Sequence, residues 1–372
     1  LYYPPEGEGM TMSSYALYRL PHARSYTRIE QTEGEPEKLA SCAALNGKRG
    51  FVIAPFAPAE GQPVVVIRGD KVSDEAFEDD GGNEADRTCC YHNPCPSHEK
   101  ADNQYSGDFA RFHARLLAGD FRKIVLARCA EQPLVGQLPA EQLFFRACRC
   151  YPRLFVALVH TPTTGTWLVA TPETLLEGGN GQWRTIALAG TMKLEGDELG
   201  FDNPPQSLSA DAIRWSQKNI QEQRYVATYL KDCLGRFAGD VHEEGPYTVR
   251  AGNLVHLRSD FTFSMPGSDR LGDLLQALHP TPAVCGLPKQ EAFSFIMNNE
   301  HTPRRYYSGF MGPLDPCGDT RLYVSLRCMQ IGKEICRLYA GGGLLKESCE
   351  QQEWQETEAK METMRNLFYV QQ

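Results

Sequence analysis

The 372-residue chain has no apolar run near the roughly 20 residues that a membrane-spanning helix needs. It has no basic excess either: 38 Lys and Arg stand against 47 Asp and Glu, a formal charge of −9. Generalised nucleic-acid binding and attachment to an anionic membrane both want a basic face, so neither partner is expected. A local pocket can still oppose the global sign, which leaves room for an anionic substrate. The first ten residues, LYYPPEGEGM, have no basic n-region and no apolar h-region, so they do not read as a signal peptide. The chain opens on Leu, as a trimmed or processed one would. Internal repeats and low-complexity linkers are missing too, which favours one interlocked domain over two. A disulfide framework is not indicated. The 13 cysteines are odd in number, scattered, and several sit in apolar contexts (Cys129, Cys148, Cys285, Cys328). Such usage fits reduced thiols in a cytoplasmic protein.

What is present is a globular mix, 41% hydrophobic and 23% charged, long enough for a sizeable core. Residues 1–115 look less regular than the rest, with strand-like FVIAPF and PVVVIRG at 51–56 and 63–69. An acidic and then Cys/His/Pro-rich segment, 70–106, reads as an exposed loop or insertion. A helix is predicted at about 107–119, with Phe109, Phe112, Leu116 and Leu117 on one side. FRKIVLARCA, LFVALVHTP, TGTWLVATP, RTIALAGTM and VHLRSDFTFSM read as strands, and a long helix is expected from Ser209 to Leu234. GDLLQAL and KQEAFSFIMNN read as helices. SGFMGPL, TRLYVSLRCMQIG and ICRLYAGGG read as meandering antiparallel strands, and a last helix spans about 350–368. Runs of strands joined by short turns, with helices between the runs, predict an α+β fold with large antiparallel sheets.

The last helix is the most informative element. EWQETEAK puts Glu353, Glu356 and Lys360 at i, i+3 and i+7, within roughly 60° of one another on one face. Paired carboxylates can clamp a hard cation, with the lysine free to hold an anionic ligand. A solvated face carrying an i,i+4 Glu356–Lys360 pair is the plainer alternative. Lys218 and Glu222 on the long helix raise the same choice. AGGGLLKES follows a strand and reads either as a turn or as exposed backbone N–H groups for a carboxylate. Arg327, in an apolar stretch read as strand, needs a partner, either a ligand carboxylate or a protein glutamate. Lys123 is either exposed at its strand start or buried with a partner. Glu173 follows a proline at a strand end, where turns expose polar residues. The cluster Cys89, Cys90, His92, Cys95 and His98 has irregular spacing and no second CxxC pair, so a loop is expected there rather than zinc.

Together these segments resemble the chorismate-utilising enzymes, and among them the isochorismate synthases. The signatures are KIVLAR (123–128), ATPETLL (170–176), ALAGT (187–191), HL (256–257), LHPTPAVCGLP (278–288), YYSGFMG (306–312), VSLR (324–327) and LYAGGG with EWQETEAK (338–343, 353–360). They run in order over about two-thirds of the chain; residues 1–115 match only loosely. The resemblance implies one chorismate-binding domain over 1–372, with a variable part at 1–115 and a catalytic core at 116–372. Its fold would be two large packed, mainly antiparallel β-sheets with helices outside and the site between them. The resemblance further implies a Mg²⁺ held by Glu222 and Glu356, with Glu353 close by, binding the ring carboxylate of chorismate. Gly190 and Thr191 would contact that end. Arg327, Tyr307 and the amide of Gly343 would clasp the enolpyruvyl carboxylate, and Ala283 would be a further substrate contact. Lys360 would sit by the metal and His256 by ring C4. Lys123 would activate water and Glu173 would protonate the departing C4 hydroxyl.

Hydroxide is a poor leaving group, so Glu173 must be protonated when C4–O breaks, and apolar surroundings should raise its pKa. Lys123 would have to be neutral to take a proton from water. Ammonia-using relatives typically carry glutamine at the position of Lys123, and aminodeoxychorismate synthases carry lysine at that of Ala189, so water is the expected nucleophile. The stretch KNIQEQ (218–223) departs from the common Lys-Asp-Arg-x-Glu-His pattern but keeps its glutamate. The implied activity is isochorismate synthesis for menaquinone, or otherwise for a siderophore, by a monomer or weak homodimer. A salicylate synthase, or a silent family member serving as a binding subunit, are the alternatives.

Overall fold

The computed structural model describes residues 14–77, 102–134, 138–193, 215–251, 254–265, 269–315 and 317–368. Within them the continuous apolar runs become strands covered on both faces. In Gly50–Ala54, Phe51 and Ile53 point to one buried side while Val52 and Ala54 point to the other. Side chains alternate along a strand, so a strand buried on both faces reads as an unbroken apolar run.

Among the described residues the strands form two nine-stranded sheets. The first is ordered Gly286–Leu287, Lys123–Pro133, Ile335–Leu344, Cys328–Ile331, Gly165–Thr171, Phe155–Thr161, Ser14–Arg19, Ser25–Gln31, Lys71–Ala76. The second is ordered His242–Ala251, Leu254–Ser264, Gln182–Lys193, Thr174–Gly179, Thr320–Val324, Phe310–Leu314, Gly50–Ala54, Val64–Ile67, Glu37–Leu39. Every neighbouring pair is antiparallel. The α+β expectation of two large antiparallel sheets is the observed architecture.

Six helices lie among the described residues: α1 (Asn103–Ala118), α2 (Ala140–Cys150), α3 (Gln217–Leu234), α4 (Leu271–Leu278), α5 (Lys289–Asn299) and α6 (Glu350–Arg365). The inner faces of the sheets meet through Phe51, Ile53, Val65 and Met311 on one side and Ala16, Ala157, Trp167 and Val169 on the other. Phe155 stacks on Tyr323 across this gap, with ring centroids 4.0 Å apart and planes 6° from parallel. The outer face of the second sheet is covered by α3 and α4, and that of the first by α2 and α6. Arg128, on the strand Lys123–Pro133, reaches out to α6, where it bonds Thr357 and Glu358 and lies 3.6 Å over the Trp354 ring. No helix among the described residues is long and apolar enough to cross a membrane.

Two places where the chain changes sheet lie side by side. Gly165–Thr171 of the first sheet leads through Pro172 and Glu173 into Thr174–Gly179 of the second. Thr320–Val324 of the second leads through Ser325–Arg327 into Cys328–Ile331 of the first. The crossings are tied together: Val324 N–H donates to Glu173 O at 2.9 Å, and Ala170 N–H to Arg327 O at 3.1 Å.

Several expectations change. TRLYVSLRCMQIG is two strands in different sheets, and Arg327 stands in the break with φ +46, not in a strand. AGGG is strand, as ICRLYAGGG read, and not the turn that AGGGLLKES left open. The long helix starts at Gln217 rather than Ser209, because Ser216 caps it by accepting from Asn219 N–H at 3.2 Å. Residues 209–214, like the Cys/His segment 89–98, lie outside the described residues. Leu117 is 61% exposed, since one residue turns a helix by about 100° away from Leu116. The stretch before 115 is more regular than its sequence suggests: Ser14–Arg19 pairs with Phe155–Thr161, and Gly50–Ala54 with Phe310–Leu314. Those partners are distant in sequence and leave no local hairpin signal. Nine described cysteines are free thiols, but Cys150 is disulfide-bonded, contrary to an all-reduced set.

Phe155→Ala removes one half of the inter-sheet stack and should destabilise the protein by about 3–5 kcal/mol, read from urea unfolding. Leu117→Ala, on the exposed face of α1, should stay within about 0.5 kcal/mol. An unchanged midpoint for Phe155→Ala would mean that the sheets do not depend on this contact.

Candidate active site

A recess lies beside the paired crossings, with Pro172 and Glu173 of one and Leu326 and Arg327 of the other on its wall. Glu173, Gly190, Thr191, Glu222, His256, Ala283, Tyr307, Arg327, Gly343 and Lys360 line it. Lys123, Glu353 and Glu356 are not on its wall; Lys123 contacts Glu222 and Glu356 contacts Lys360, which are, while Glu353 meets Lys218. The rest of the lining is largely apolar: Val125, Pro172, Leu188, Ala189, Val284, Leu326, Ala340 and Gly341. Sequence reasoning did not pick out most of these, because an apolar residue on a strand reads as core. Adjacency to a motif residue was the one signal available, as for Val125 in KIVLAR.

Lys123 opens the strand Lys123–Pro133, and its side chain is 0% exposed. Its ammonium lies 2.9 Å from Glu222 Oε1 of α3, within ion-pair range but off the line of a well-formed hydrogen bond. The neighbouring strand makes room for the pair. Gly341 and Gly343 stand opposite Ala127 and Val125, so they share a face with Lys123. A Cβ on Gly343 would lie 2.2 Å from Glu222 Oε1 and 2.8 Å from Lys123 Cε. One on Gly341 would lie 2.8 Å from the hydroxyl of Tyr307, a buried ring stacked on Tyr339. Gly342 points the other way, where a Cβ would come within 3.0 Å of Glu353 Oε2. The glycines thus let carboxylates from two helices approach one strand from both sides.

Each of the three glutamates is matched with a lysine. Glu222 has Lys123; Glu353 meets Lys218 across the α3–α6 contact; Glu356 bonds Lys360 at 2.7 Å along one face of α6. Lys360 also donates to Gly341 O at 2.8 Å. Burial pushes the Glu222 carboxyl up, but Lys123, Lys218 and Lys360 outweigh it and hold it below the ordinary range. Burial and the neighbouring Glu356 push Glu353 up, against the pull of Lys218. As the side chains stand, no three His, Cys, Asp or Glu among the described residues converge to hold a metal. The donor set nevertheless suits a hard cation, since it consists of carboxylate oxygens, and Glu353 Oε2 is buried without a well-formed hydrogen bond.

Glu173 is 4% exposed at its crossing. Burial pushes its carboxyl up to about 8, although Lys123, Lys360 and Arg327 pull the other way. It is therefore largely a neutral acid at pH 7. Arg327 occupies the other crossing in a left-handed conformation that side chains rarely adopt, the kind of strain that collects at functional sites. Burial lowers it to about 10, and it remains a cation. Its Nη2 donates to His256 Nε2 at 2.6 Å. Arginine has only donors, so this nitrogen must carry a lone pair. The imidazole proton then sits on Nδ1, which faces Gly190 O at 3.2 Å and Thr191 Oγ1 at 3.3 Å. Burial, Arg327 and Lys360 all hold His256 neutral. Gly190 makes this possible as a bulge: Ala189 pairs with Leu257 and Thr191 with His256, leaving Gly190 over at φ +74 against Asn219 of α3.

Gly343→Ala should displace the Lys123–Glu222 pair by more than about 1 Å in a crystal structure, since a Cβ contact that close cannot be accommodated in place. The atoms it meets are ends of side chains rather than backbone, so the fold should survive. A Gly343→Ala structure with the pair undisturbed would show that this glycine is not what admits it.

A family model described as Chorismate binding enzyme matches residues 74–368. The chain is 29% identical over 247 residues to isochorismate synthase EntC of Escherichia coli (strain K12), an overlap of 66% of this chain and 62% of EntC. It is 28% identical over 358 residues to isochorismate synthase DhbC of Bacillus subtilis (strain 168), covering 93% of this chain and 87% of that protein. The match to EntC thus spans less than two thirds of that relative's length. The crystal structure of DhbC from Bacillus anthracis has a similar fold, with a TM-score of 0.77 at 21% identity over 97% of each chain. With the family model running through both sheets and the whole recess, the chain belongs to the chorismate binding enzyme family.

Proposed function

We propose that this chain is a Mg²⁺-dependent isochorismate synthase, adding water at C2 of chorismate as the C4 hydroxyl leaves. The observation that carries this is Glu173: a buried carboxyl on the wall of a cationic recess, still holding its proton up to about pH 8. Hydroxide departs only if protonated, and an acid with a pKa near the working pH is what that step needs. Chorismate is a dianion, and Arg327 and Lys360 on the wall oppose the −9 charge of the chain locally.

Arg327 and Tyr307 would bind the enolpyruvyl carboxylate beside the amide of Gly343, with Ala283 closing the wall. His256, neutral and fixed by Arg327 and Gly190, would lie by C4 next to Glu173. Thr191 and Gly190 would stand toward the ring carboxylate. Glu222, Glu356 and Glu353 are the residues that would hold Mg²⁺, which when bound supplies positive charge for that carboxylate. Lys123, in contact with Glu222 on the wall, would take the proton from water. Ala189 is a small residue on the wall and offers no nucleophile of its own, which supports water. The isochorismate formed would enter menaquinone or siderophore synthesis in the cytoplasm.

Incubation with chorismate and Mg²⁺, followed by chromatography, should give isochorismate that disappears when a chelator is added. Pyruvate release without a second enzyme would make the chain a salicylate synthase instead. Lys123→Gln and Glu173→Gln should each lower kcat by about 10²–10⁴-fold; near-wild-type turnover in both would refute the roles assigned. The pH profile follows from the sign of the Glu173 shift. The acid works protonated, so kcat/KM should fall about tenfold per pH unit above about 8. Residual activity in Glu173→Gln should lack that limb.

A further inference from the structure

Lys218 has no part in the chemistry above, and its position breaks a local rule. It is the second residue of α3, just after the capping Ser216. The first turn of a helix carries the positive end of the backbone dipole and favours acids over cations. No acid stands in the first turn of α3; a lysine does. Such a local conflict points to a tertiary cause, and the cause is the set of carboxylates around it. The ammonium contacts Glu353 Oε1. Burial works against its charge, but Glu353, Glu356 and Glu222 more than compensate and raise its pKa.

The arrangement is incomplete. Glu353 is 1% exposed, and while one oxygen meets Lys218, the other, Oε2, is buried without a well-formed hydrogen bond, the Ser348 hydroxyl being the one further group that draws on the carboxyl. A half-satisfied buried carboxylate is costly. A divalent cation that took Glu353 through Oε2 would set its charge beside the ammonium held on Oε1 and repel it. Of the three lysines, Lys218 is the least held: its side chain is 24% exposed and, among the described residues, bonds only Glu353, while Lys360 is 18% exposed and also bonded to Gly341 O, and Lys123 is fully buried.

We infer that Lys218 is a positioning residue that holds Glu353 in the cation-free protein and is displaced toward solvent when a divalent cation binds, so that it sets the affinity for that cation. This extends, and rests on, the assignment of Glu222, Glu353 and Glu356 as cation donors. Removal of Lys218 leaves Glu353 beside Glu356 with no countercharge, an arrangement that a divalent cation relieves. At the helix end the substitution is favourable, because it takes a cation away from the positive end of the dipole; the cost falls on Glu353, which loses its ammonium.

The test is calorimetric titration of the full chain with Mg²⁺ alone, without substrate. Lys218→Met, and Lys218→Gln as a second uncharged side chain, should bind Mg²⁺ at least about tenfold more tightly than wild type, because a nearby positive charge has been removed. Lys218→Arg should bind as wild type does. In a Glu353→Gln background the gain from Lys218→Met should shrink, since the carboxylate in contention is gone and only the removal of the charge remains. Equal or weaker binding by both uncharged variants, with wild type still binding Mg²⁺, overturns the role of Lys218 and leaves the glutamates as donors. If none of these proteins binds Mg²⁺, the donor assignment and the role of Lys218 fall together.

Discussion

Three glutamates are brought to one corner of this protein by two different helices, and at least one of them is buried outright. Buried carboxylates repel one another and lose their hydration, so the corner exists only because each meets an ammonium. The match is one to one: Lys123 with Glu222, Lys218 with Glu353, Lys360 with Glu356. Much else is shaped around it. The glycine strand at 341–343 is bare of side chains because any Cβ there would strike a carboxylate, a lysine or the Tyr307 hydroxyl. The Arg128 links to α6 and the Ser216 cap of α3 hold the two helices whose first turns meet at this point.

The second determinant is where the chain passes between the sheets. A residue at a crossing is released from both sheets while its neighbours stay anchored. Glu173 and Arg327 stand at two such crossings, and backbone hydrogen bonds between the crossings keep them in register. The same anchoring sustains the left-handed backbone of Arg327 and of Ser308, whose N–H donates to Ser325 O at 2.9 Å. The acid and the cation therefore face one recess from rigid supports.

Much of this was legible in the chain. Runs of apolar strands joined by short turns pointed to large antiparallel sheets, and the helical spacing of Glu353, Glu356 and Lys360 put them on one face, as α6 does. Ten of the residues singled out by motif do line one recess. The failures have specific causes. Arg327 was placed in a strand because its neighbours are apolar, but here apolarity marks a crossing buried between sheets. The glycines were open to reading as a turn, because a strand of glycine is favourable only where something else must fill the space. The strands before residue 77 were underrated because Lys71–Ala76 is a polar edge strand and Ser25–Gln31 beside it is only partly buried, while Ser14–Arg19 and Gly50–Ala54 find partners far away in sequence.

Local chemistry, then, was written in the order of residues: strand and helix periods, caps, the presence of an acid, a guanidinium and three glutamates in family motifs. Which lysine answers which glutamate was not. Lys218 and Glu353 are 135 positions apart, and Arg327 and His256 are 71 apart. No spacing rule reaches that far. The protonation of Glu173 and the tautomer of His256 belong to the same class, because both are set by burial and by charges from distant segments. Such properties arise only when the chain has closed on itself and water has been removed.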